Sequence, residues 1–173
     1  MKNDLSTYLK VRDEMKTGDL LQFRGHSLIS RLIEWRTGKY SHSSLVLRLS
    51  EYEGLERRRF TMSAEPGGVM LFPLSRYLEG YDGEVWWFPL KSEWNENRQR
   101  IGENAAFFAG VKYDFPSLFK QLLVKVSSSS RRLFCSELCF VCYGFTGKAP
   151  NPSEMPNLGI FDENRITKII SKR

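Results

Sequence analysis

The amino-acid sequence predicts an α+β fold with a mostly antiparallel sheet. Strand-like segments come first along the chain, and helical segments follow them. The 173 residues are enough for one domain with a proper core, and 41% hydrophobic with 27% charged residues is the composition of a globular protein. There is no internal repeat and no break in composition, so residues 1–173 are predicted to form a single domain.

The first half of the chain is predicted to begin with one helix and to continue mainly in strands. Residues 3–15 form an amphipathic helical pattern with Leu5, Leu9 and Val11 on one side. The other predicted elements are a strand at 20–23 after the turn Gly18-Asp19, a helix from 26 to about 38, strands at 43–49, 60–65 and 69–72, a short helix at 73–78 and a strand at 84–89.

The second half is predicted to be helical. Apolar spacing indicates helices at 95–108 and 116–126, and Asp162 is a cap residue for a last short helix that ends at 170. The four serines at 127–130 are the one low-complexity patch, and the segment 149–158, rich in Pro and Asn, is predicted to be irregular.

The stretch RRLFCSELCFVCYGFTG, residues 131–147, is predicted to contain a helix that begins at Cys135. Ser136 and Glu137 suit its first turn, because a hydroxyl or a carboxylate there can bond free backbone N–H groups. The Cys135 sulfur would then lie beside N–H groups that favour the thiolate, which is the nucleophilic form. The other markers of this helix are the apolar residues Leu138, Val141 and Cys142 and two candidate terminators, Gly144 and Gly147.

A cysteine nucleophile needs a base, and histidine is the side chain suited to that task near neutral pH. The chain has two histidines. His42 directly precedes a predicted strand, which would hold its ring rigidly, whereas His26 suits a capping or surface role. Glu65 ends the strand that follows, so it is either the polar group that orients His42 or a solvated carboxylate. Glu137 is expected to be a structural cap.

The three cysteines fall within eight residues of one another on one predicted helix. One helix gives poor geometry for a disulfide, so reducing surroundings are expected. Cys139 and Cys142 have the CxxC spacing of a metal site, but no second ligand pair accompanies them and their helix predicts core positions. No metal and no cofactor are therefore expected.

The chain carries a net charge of +6, with basic clusters at 57–59, 131–132 and 172–173. No nucleic-acid motif accompanies these charges, so solvated surface is expected, with at most weak contact to an anionic membrane surface. The N-terminus has no apolar run typical of a signal peptide, and no stretch approaches the length of a membrane-spanning helix. A cytoplasmic protein is the expectation. The sequence does not indicate the oligomeric state.

Four segments in order resemble the permuted papain-like amidases of the YaeF/YiiX type, within the NlpC-like superfamily. The first is a strand led by Gly-Asp, followed by a short helix and then by Ser-His at a strand start, in residues 18–49. The others are SAEPGGV at 63–69, GVKYDFPSL at 110–118 and FCSEL at 134–138. The resemblance spans about residues 17–158, nearly the whole chain.

The resemblance implies a circularly permuted papain-like (NlpC-like) fold with the nucleophile helix packed against the sheet. It implies that Cys135 is the nucleophile, His42 the base and Glu65 the orienting group, with the Cys135 backbone N–H as one oxyanion donor. Tyr40 and Tyr113 are candidate substrate-binding residues, and both could equally be packing residues. The reaction implied is hydrolysis of an amide or isopeptide bond, in a peptide or a small molecule, through an acyl-enzyme.

Two other functions are alternatives to this one. The first is a lipid acyltransferase or thioesterase of the same superfamily. Members of that branch carry an N-C-E-H signature at the cysteine, which FCSEL lacks, and they usually have a membrane anchor. A non-catalytic binding module is the second. It would have no need to retain cysteine, histidine and glutamate together.

Overall fold

The computed structural model describes residues 2–25, 38–65, 68–111 and 134–171. Those residues form a sheet of six strands: β1 (Leu20–Gly25), β2 (His42–Leu47), β3 (Phe60–Glu65), β4 (Gly68–Pro73), β5 (Gly83–Phe88) and β6 (Thr167–Ile170). They also form the α-helices α1 (Ser6–Val11), α2 (Leu74–Gly80), α3 (Arg98–Phe108) and α4 (Phe134–Cys142), and 3₁₀ helices at Ser92–Asn97, Met155–Leu158 and Glu163–Arg165.

The strands lie side by side in the order β4-β3-β2-β1-β5-β6, and every described pair is antiparallel. This confirms the predicted α+β class and its mostly antiparallel sheet. The two central strands, β1 and β2, pair through Leu20 with Leu45 and through Phe23 with His42. Because of this register, His42, the first residue of β2, lies beside Phe23 of β1, a strand that is itself paired on both sides.

Alternation along the strands divides the core into two layers, one on each face of the sheet. In β1, Leu20 packs on the face covered by α3 and α4, and Leu21 packs on the face covered by α1 and α2. In β5, Trp86 and Trp87 divide in the same way. Successive side chains of a strand point to opposite faces, so strands with apolar residues at consecutive positions are buried on both sides.

The Gly18-Asp19 turn before β1 is held in place by side-chain hydrogen bonds of Asp19. Asp19 is 1% exposed, and its carboxylate accepts hydrogen bonds from Trp87 Nε1 at 2.9 Å, from the Leu90 backbone N–H at 3.1 Å and from Arg98 Nη1 at 2.8 Å. Gly18 has φ +90°, and a Cβ there would lie 3.1 Å from atoms of Leu90 and Ile101. The Asp19 carboxylate thus ties β1 to the segment after β5 and to α3.

Helix α1 differs from the prediction in length and in its buried face. It spans six residues rather than residues 3–15, and Leu9, predicted on the apolar side, is 52% exposed. Tyr8 is the residue that α1 buries, at 1% exposed. The short helix turns Tyr8 into the layer formed by Leu21, Phe23 and Trp87, and an aromatic ring fills more of that layer than Leu9 would.

The prediction of a helix at 162–170 is wrong. Asp162 does cap a turn, accepting from the Asn164 backbone N–H, but the turn is the 3₁₀ helix Glu163–Arg165. Residues Thr167–Ile170 then form the edge strand β6, paired with β5. The β-branched residues of this segment suit a strand, and pairing with β5 buries Ile169 and Ile170 beside Trp87.

Two further differences concern the second half. The helix predicted from residue 95 begins as the 3₁₀ helix Ser92–Asn97 and becomes α-helical only at Arg98. The helices predicted at 26–38 and 116–126 and the serines at 127–130 lie outside the described residues. In the part of the chain that the structure describes, no helix has the length and apolar character needed to cross a membrane.

Arg59 is not part of a basic surface. It is 3% exposed, and its guanidinium donates from Nε to the Met15 carbonyl at 2.9 Å and from Nη2 to the Asp13 carbonyl at 3.1 Å. Arg57 and Arg58 beside it are exposed. The other two basic clusters, at 131–132 and 172–173, lie outside the described residues.

Candidate active site

His42 is the first residue of β2 and lies half-buried at the end of that strand. Its partner across the sheet is Phe23, and the centroids of the two rings are 5.4 Å apart at an angle of 57°. Pairing with a central strand fixes the backbone, and the aromatic neighbour limits the rotation of the imidazole. The histidine therefore sits in the rigid position that the sequence predicts.

Cys135 lies in the first turn of α4, as predicted, and is 7% exposed. The helix is held against the sheet by Leu138 and Cys139, which pack in the same layer as Leu45. At its far end, Gly144 adopts φ +86°, its N–H donates to the Val141 carbonyl, and Phe145 N–H donates to the Phe140 carbonyl. This pair of bonds is a Schellman motif, so Gly144 ends the helix.

Two influences of opposite sign act on the Cys135 thiol. Burial raises its pKa, but the charge and hydrogen bond of His42 lower it, and so do backbone N–H groups of Ser43 and Ser136 that hydrogen-bond with the sulfur. The net effect is a Cys135 pKa below that of an ordinary thiol. A helix-start N–H and a neighbouring imidazole are the usual means of activating a cysteine.

His42 shows the complementary shift. Burial lowers the pKa of the ring, but the charge and hydrogen bond of Cys135 and the charge of the Glu65 carboxylate outweigh it, so the pKa lies above its ordinary value. A lowered thiol pKa and a raised imidazole pKa both favour a thiolate beside an imidazolium. The structure therefore brings together His42 and Cys135, which lie 93 positions apart in the sequence.

Ser63 also contacts the His42 ring, and sequence reasoning missed it. The distance between His42 Nε2 and Ser63 Oγ is 2.6 Å. Antiparallel pairing of β2 with β3 explains the contact: the register pairs Leu45 with Met62, and its continuation places Ser63 diagonally from His42 on the same face. Polar residues at alternate positions of β3, Thr61, Ser63 and Glu65, were the signal in the sequence.

Glu65 lies at the end of β3, close enough for its charge to raise the pKa of His42. Its Oε1 accepts a hydrogen bond from the Tyr77 hydroxyl of α2 at 2.9 Å. Burial and Glu65 raise the Tyr77 pKa far above its ordinary value, although a hydrogen bond with the Ser63 hydroxyl acts in the opposite direction. Tyr77 thus connects the carboxylate with the serine that contacts His42.

Cys139 and Cys142 are core residues, each 0% exposed. Burial raises the pKa of Cys139 well above its ordinary value and that of Cys142 to about 12. Glu137 is 5% exposed, and burial raises its pKa. Within residues 2–25, 38–65, 68–111 and 134–171, no three His, Cys, Asp or Glu side chains are grouped so that they could hold a metal ion.

Tyr40 lies in the core layer beneath α4 and is 6% exposed. Its ring meets Trp86 edge-on, with centroids 5.2 Å apart, and Lys39 Nζ lies over both rings. Its backbone N–H donates to Ser153 Oγ at 2.7 Å. These contacts fix the ring two residues before His42. The other predicted substrate-binding residue, Tyr113, and the second histidine, His26, lie outside the described residues.

Comparisons with known proteins give one line of support for this fold. No family model matches the chain, and no curated protein does. Among solved structures, the chain is similar to the crystal structure of the metalloprotein YiiX from Escherichia coli O157:H7, DUF1105, with a TM-score of 0.52 and 23% sequence identity. The chain shares the fold of YiiX. The match covers 75% of this chain and 64% of the YiiX chain.

The predicted resemblance to the YaeF/YiiX type is confirmed at the level of fold. YiiX is described as a metalloprotein. The residues that the structure describes here offer no set of three or more His, Cys, Asp or Glu ligands for such a metal.

Proposed function

We propose that this chain is a thiol hydrolase with a circularly permuted papain-like fold, acting on an amide or isopeptide bond through an acyl-enzyme. The observation that carries the proposal is the Cys135–His42 pair, in which the pKa of the thiol is lowered and that of the imidazole is raised. The histidine precedes the cysteine in the sequence, which is the permuted order.

In the first half of the reaction, the Cys135 thiolate attacks the carbonyl carbon of the substrate. A carbon–sulfur bond forms, and the π electrons of the carbonyl move onto its oxygen. When this intermediate collapses, the carbon–nitrogen bond breaks and the His42 imidazolium gives its proton to the leaving amine. The products of this half are a free amine and a thioester on Cys135.

In the second half, water attacks the thioester and neutral His42 takes a proton from it. The carbon–sulfur bond then breaks, which releases the acid and restores the thiolate beside an imidazolium. The backbone N–H of Cys135, in the first turn of α4, is the proposed donor to the oxyanion in both halves.

Ser63, Tyr77 and Glu65 are proposed to orient the His42 ring as a single chain of hydrogen bonds. With the ring protonated, His42 Nε2–H donates to Ser63 Oγ. The Ser63 hydroxyl then donates to Tyr77, and Tyr77 donates to the Glu65 carboxylate. Each hydroxyl accepts once and donates once, so the chain has one direction and ends on a negative charge.

This arrangement assigns the orienting role differently from a direct His–Glu contact. Glu65 acts on the ring through its charge and through two hydroxyl groups, and Ser63 is the residue that touches Nε2. With Nε2 engaged by Ser63, Nδ1 is the ring nitrogen available to the Cys135 sulfur. Tyr77 and Ser63 are positioning residues, because neither one contacts the reacting atoms in this scheme.

An activated ester, p-nitrophenyl acetate, tests the acyl-enzyme without knowledge of the natural substrate. We expect a rapid release of p-nitrophenolate and an acetyl group on Cys135, located by peptide mass spectrometry. The Cys135→Ala variant should lose this burst, and the matched Cys142→Ala variant, from the core side of the same helix, should retain it. Acetylation that is spread over lysines and unaffected by Cys135→Ala would favour a binding module instead.

A further inference from the structure

Two lysine side chains meet at Trp86, on the face of the sheet against which α4 packs. Lys39 Nζ lies 4.6 Å from the centroid of the Trp86 ring and 5.0 Å from that of Tyr40. Lys168 Nζ lies 4.9 Å from the centroid of the same Trp86 ring. Both rings are buried, whereas Lys39 is exposed. The aromatic rings therefore hold two ammonium groups, of a kind that usually moves freely at a protein surface, close to one another.

The charges around Trp86 are unbalanced. Glu84 forms ion pairs with Lys168 at 2.5 Å and with Arg24 at 3.6 Å, so one carboxylate faces two cations. Within residues 2–25, 38–65, 68–111 and 134–171, Lys39 forms no ion pair. Like charges held near one another repel, and an anion bound between them removes that repulsion.

The sheet places these lysines beside the candidate nucleophile. One row of cross-strand partners runs through four strands and consists of Ser43 in β2, Gln22 in β1, Trp86 in β5 and Lys168 in β6. At one end of the row, the Ser43 backbone N–H hydrogen-bonds with the Cys135 sulfur. Neighbouring strands lie about 4.8 Å apart, so the backbone of Trp86 is about 10 Å from that of Ser43.

We propose that Lys39 and Lys168 bind an anionic group of the acyl donor, at about 10 Å from the carbonyl carbon that Cys135 attacks, or about three residues of extended chain. This inference rests on the proposed function and names a substrate class for it: an acyl donor that carries a carboxylate or a phosphate. Both groups present negatively charged oxygens, which suit lysine ammonium groups.

The position of His42 decides which half of the substrate reaches the lysines. In the proposed reaction, the imidazolium gives its proton to the leaving amine. Its ring lies against Phe23, which packs on the face covered by α1 and α2, whereas Trp86 packs on the opposite face. The leaving group therefore departs on the His42 side, and the acyl half extends along the row of partners toward Trp86.

Three p-nitrophenyl esters that differ in one side chain test this anion site. Each is an N-acetyl tripeptide ester in which asparagine, aspartate or phosphoserine precedes two alanines. Each gives its acyl group to Cys135 and releases p-nitrophenolate. Asparagine has the shape of aspartate without its charge. We expect kcat/KM for the aspartate ester to be about fivefold that for the asparagine ester at low salt, because charge pairs that are partly exposed have modest effects. The ratio should approach one in about 1 M NaCl, which screens such pairs.

Lys39→Met removes the charge and keeps an unbranched side chain over the two rings. It should bring the ratio of the aspartate to the asparagine ester close to one, and Lys39→Glu should reverse the preference. Lys168→Met should lower the ratio as well. Lys10→Met is the matched control, because it removes an exposed lysine from α1, on the opposite face of the sheet, and causes the same change in net charge. It should keep the wild-type ratio.

The outcomes separate this inference from the proposed function. Of the two charged esters, the faster one identifies the group as a carboxylate or a phosphate. Equal rates for all three esters, with Cys135 acylated by each, would overturn the anion site and leave the thiol hydrolase proposal intact. A preference that survives in Lys39→Met, or that Lys10→Met loses equally, would overturn the assignment to Lys39. Wild-type Cys135 acylated no faster than free cysteine by any ester would overturn the thiol hydrolase proposal, and this inference with it.

Discussion

Helix α4 carries three cysteines in two different environments. Cys135 is 7% exposed and has a lowered pKa. One turn later, Cys139 is 0% exposed with a pKa well above the ordinary value, and Cys142 is 0% exposed with a pKa of about 12. Burial acts in the same direction on all three thiols. The difference therefore comes from what the first turn of the helix meets.

The start of β2 supplies that difference. The His42 ring and the Ser43 backbone N–H both act on the Cys135 sulfur, and both reverse the effect of burial. Cys139 packs among apolar neighbours in the same layer as Leu45 and Leu138. The pKa of this helix-start cysteine is lowered because the start of a strand lies against it, so the lowered pKa is a property of two elements in contact.

The largest effect is expected from removing the histidine that distinguishes Cys135 from the other two cysteines. In His42→Ala the thiol loses its imidazolium partner, so burial dominates and the pKa of Cys135 rises toward that of Cys142. Loss of the base as well should lower kcat/KM by about 10³-fold. Ester or amide turnover measured at neutral pH tests this.

His26→Ala is the matched control, because His26 is the other histidine of the chain. It should retain turnover. If the two alanine variants lost activity equally, the assignment of His42 as the base would be wrong.

A smaller effect is expected from the hydrogen-bond chain behind the ring. Glu65→Gln should keep the fold and lower kcat/KM by more than about tenfold, or about 1.4 kcal/mol of transition-state stabilisation, because the amide can donate where Tyr77 needs an acceptor. Ser63→Ala should lose a comparable amount, because it removes the contact to Nε2. The melting temperature should change little in Glu65→Gln.

The double variant Glu65→Gln with Ser63→Ala sharpens this prediction. If the two residues act through one chain, the double variant should lose hardly more than the larger single loss. Losses that multiply would show that Glu65 and Ser63 act on His42 independently.

The smallest effect is expected from the core cysteines. Cys142→Ala removes one buried sulfur and leaves a small cavity, which should lower the free energy of unfolding by about 1 kcal/mol. Turnover should hardly change, since Cys142 has no described contact with His42. Urea unfolding and kcat/KM on the same purified protein measure both quantities. A large loss of turnover with an unchanged melting temperature would place Cys142 in the site and remove the distinction between the two ends of α4.

Sequence reasoning predicted the parts of the fold that rest on local patterns. Strands β1 to β5 and the helix at Cys135 followed from apolar alternation, Gly turns and first-turn residues. Strand β6 was predicted as helix, because four residues, TKII, carry too little periodicity to separate the two, and pairing with β5 decides the outcome. The apolar pattern places Leu9 on the wrong side, because helix α1 has only six residues and its pattern does not decide its orientation.

The candidate site divides in the same way. Cys135 and His42 were identified from their positions at a helix start and a strand start, and the structure places them together. Sequence reasoning misses Ser63 and Tyr77: the polar alternation of β3 marks Ser63 only weakly, and a tyrosine on a short helix carries no local mark of function. Only the register of β3 against β2 and the packing of α2 bring them to His42.

The most direct test of the central claim is the rate of iodoacetamide labelling at each cysteine as a function of pH, read by peptide mass spectrometry on the folded protein. A lowered pKa means that the Cys135 thiolate persists below about 8.5, where a free thiol is protonated, and is lost only when the pH falls through that lowered pKa. A raised His42 pKa means that the imidazolium persists above about 6.5 and is lost as the pH rises through the raised value.

We expect Cys135 to be labelled at neutral pH with a midpoint below that of free cysteine, while Cys139 and Cys142 remain unlabelled until the protein is unfolded in urea. In His42→Ala the Cys135 midpoint should move to higher pH. Equal labelling of all three cysteines in the folded protein, or a Cys135 profile that His42→Ala does not shift, would contradict the thiolate–imidazolium pair.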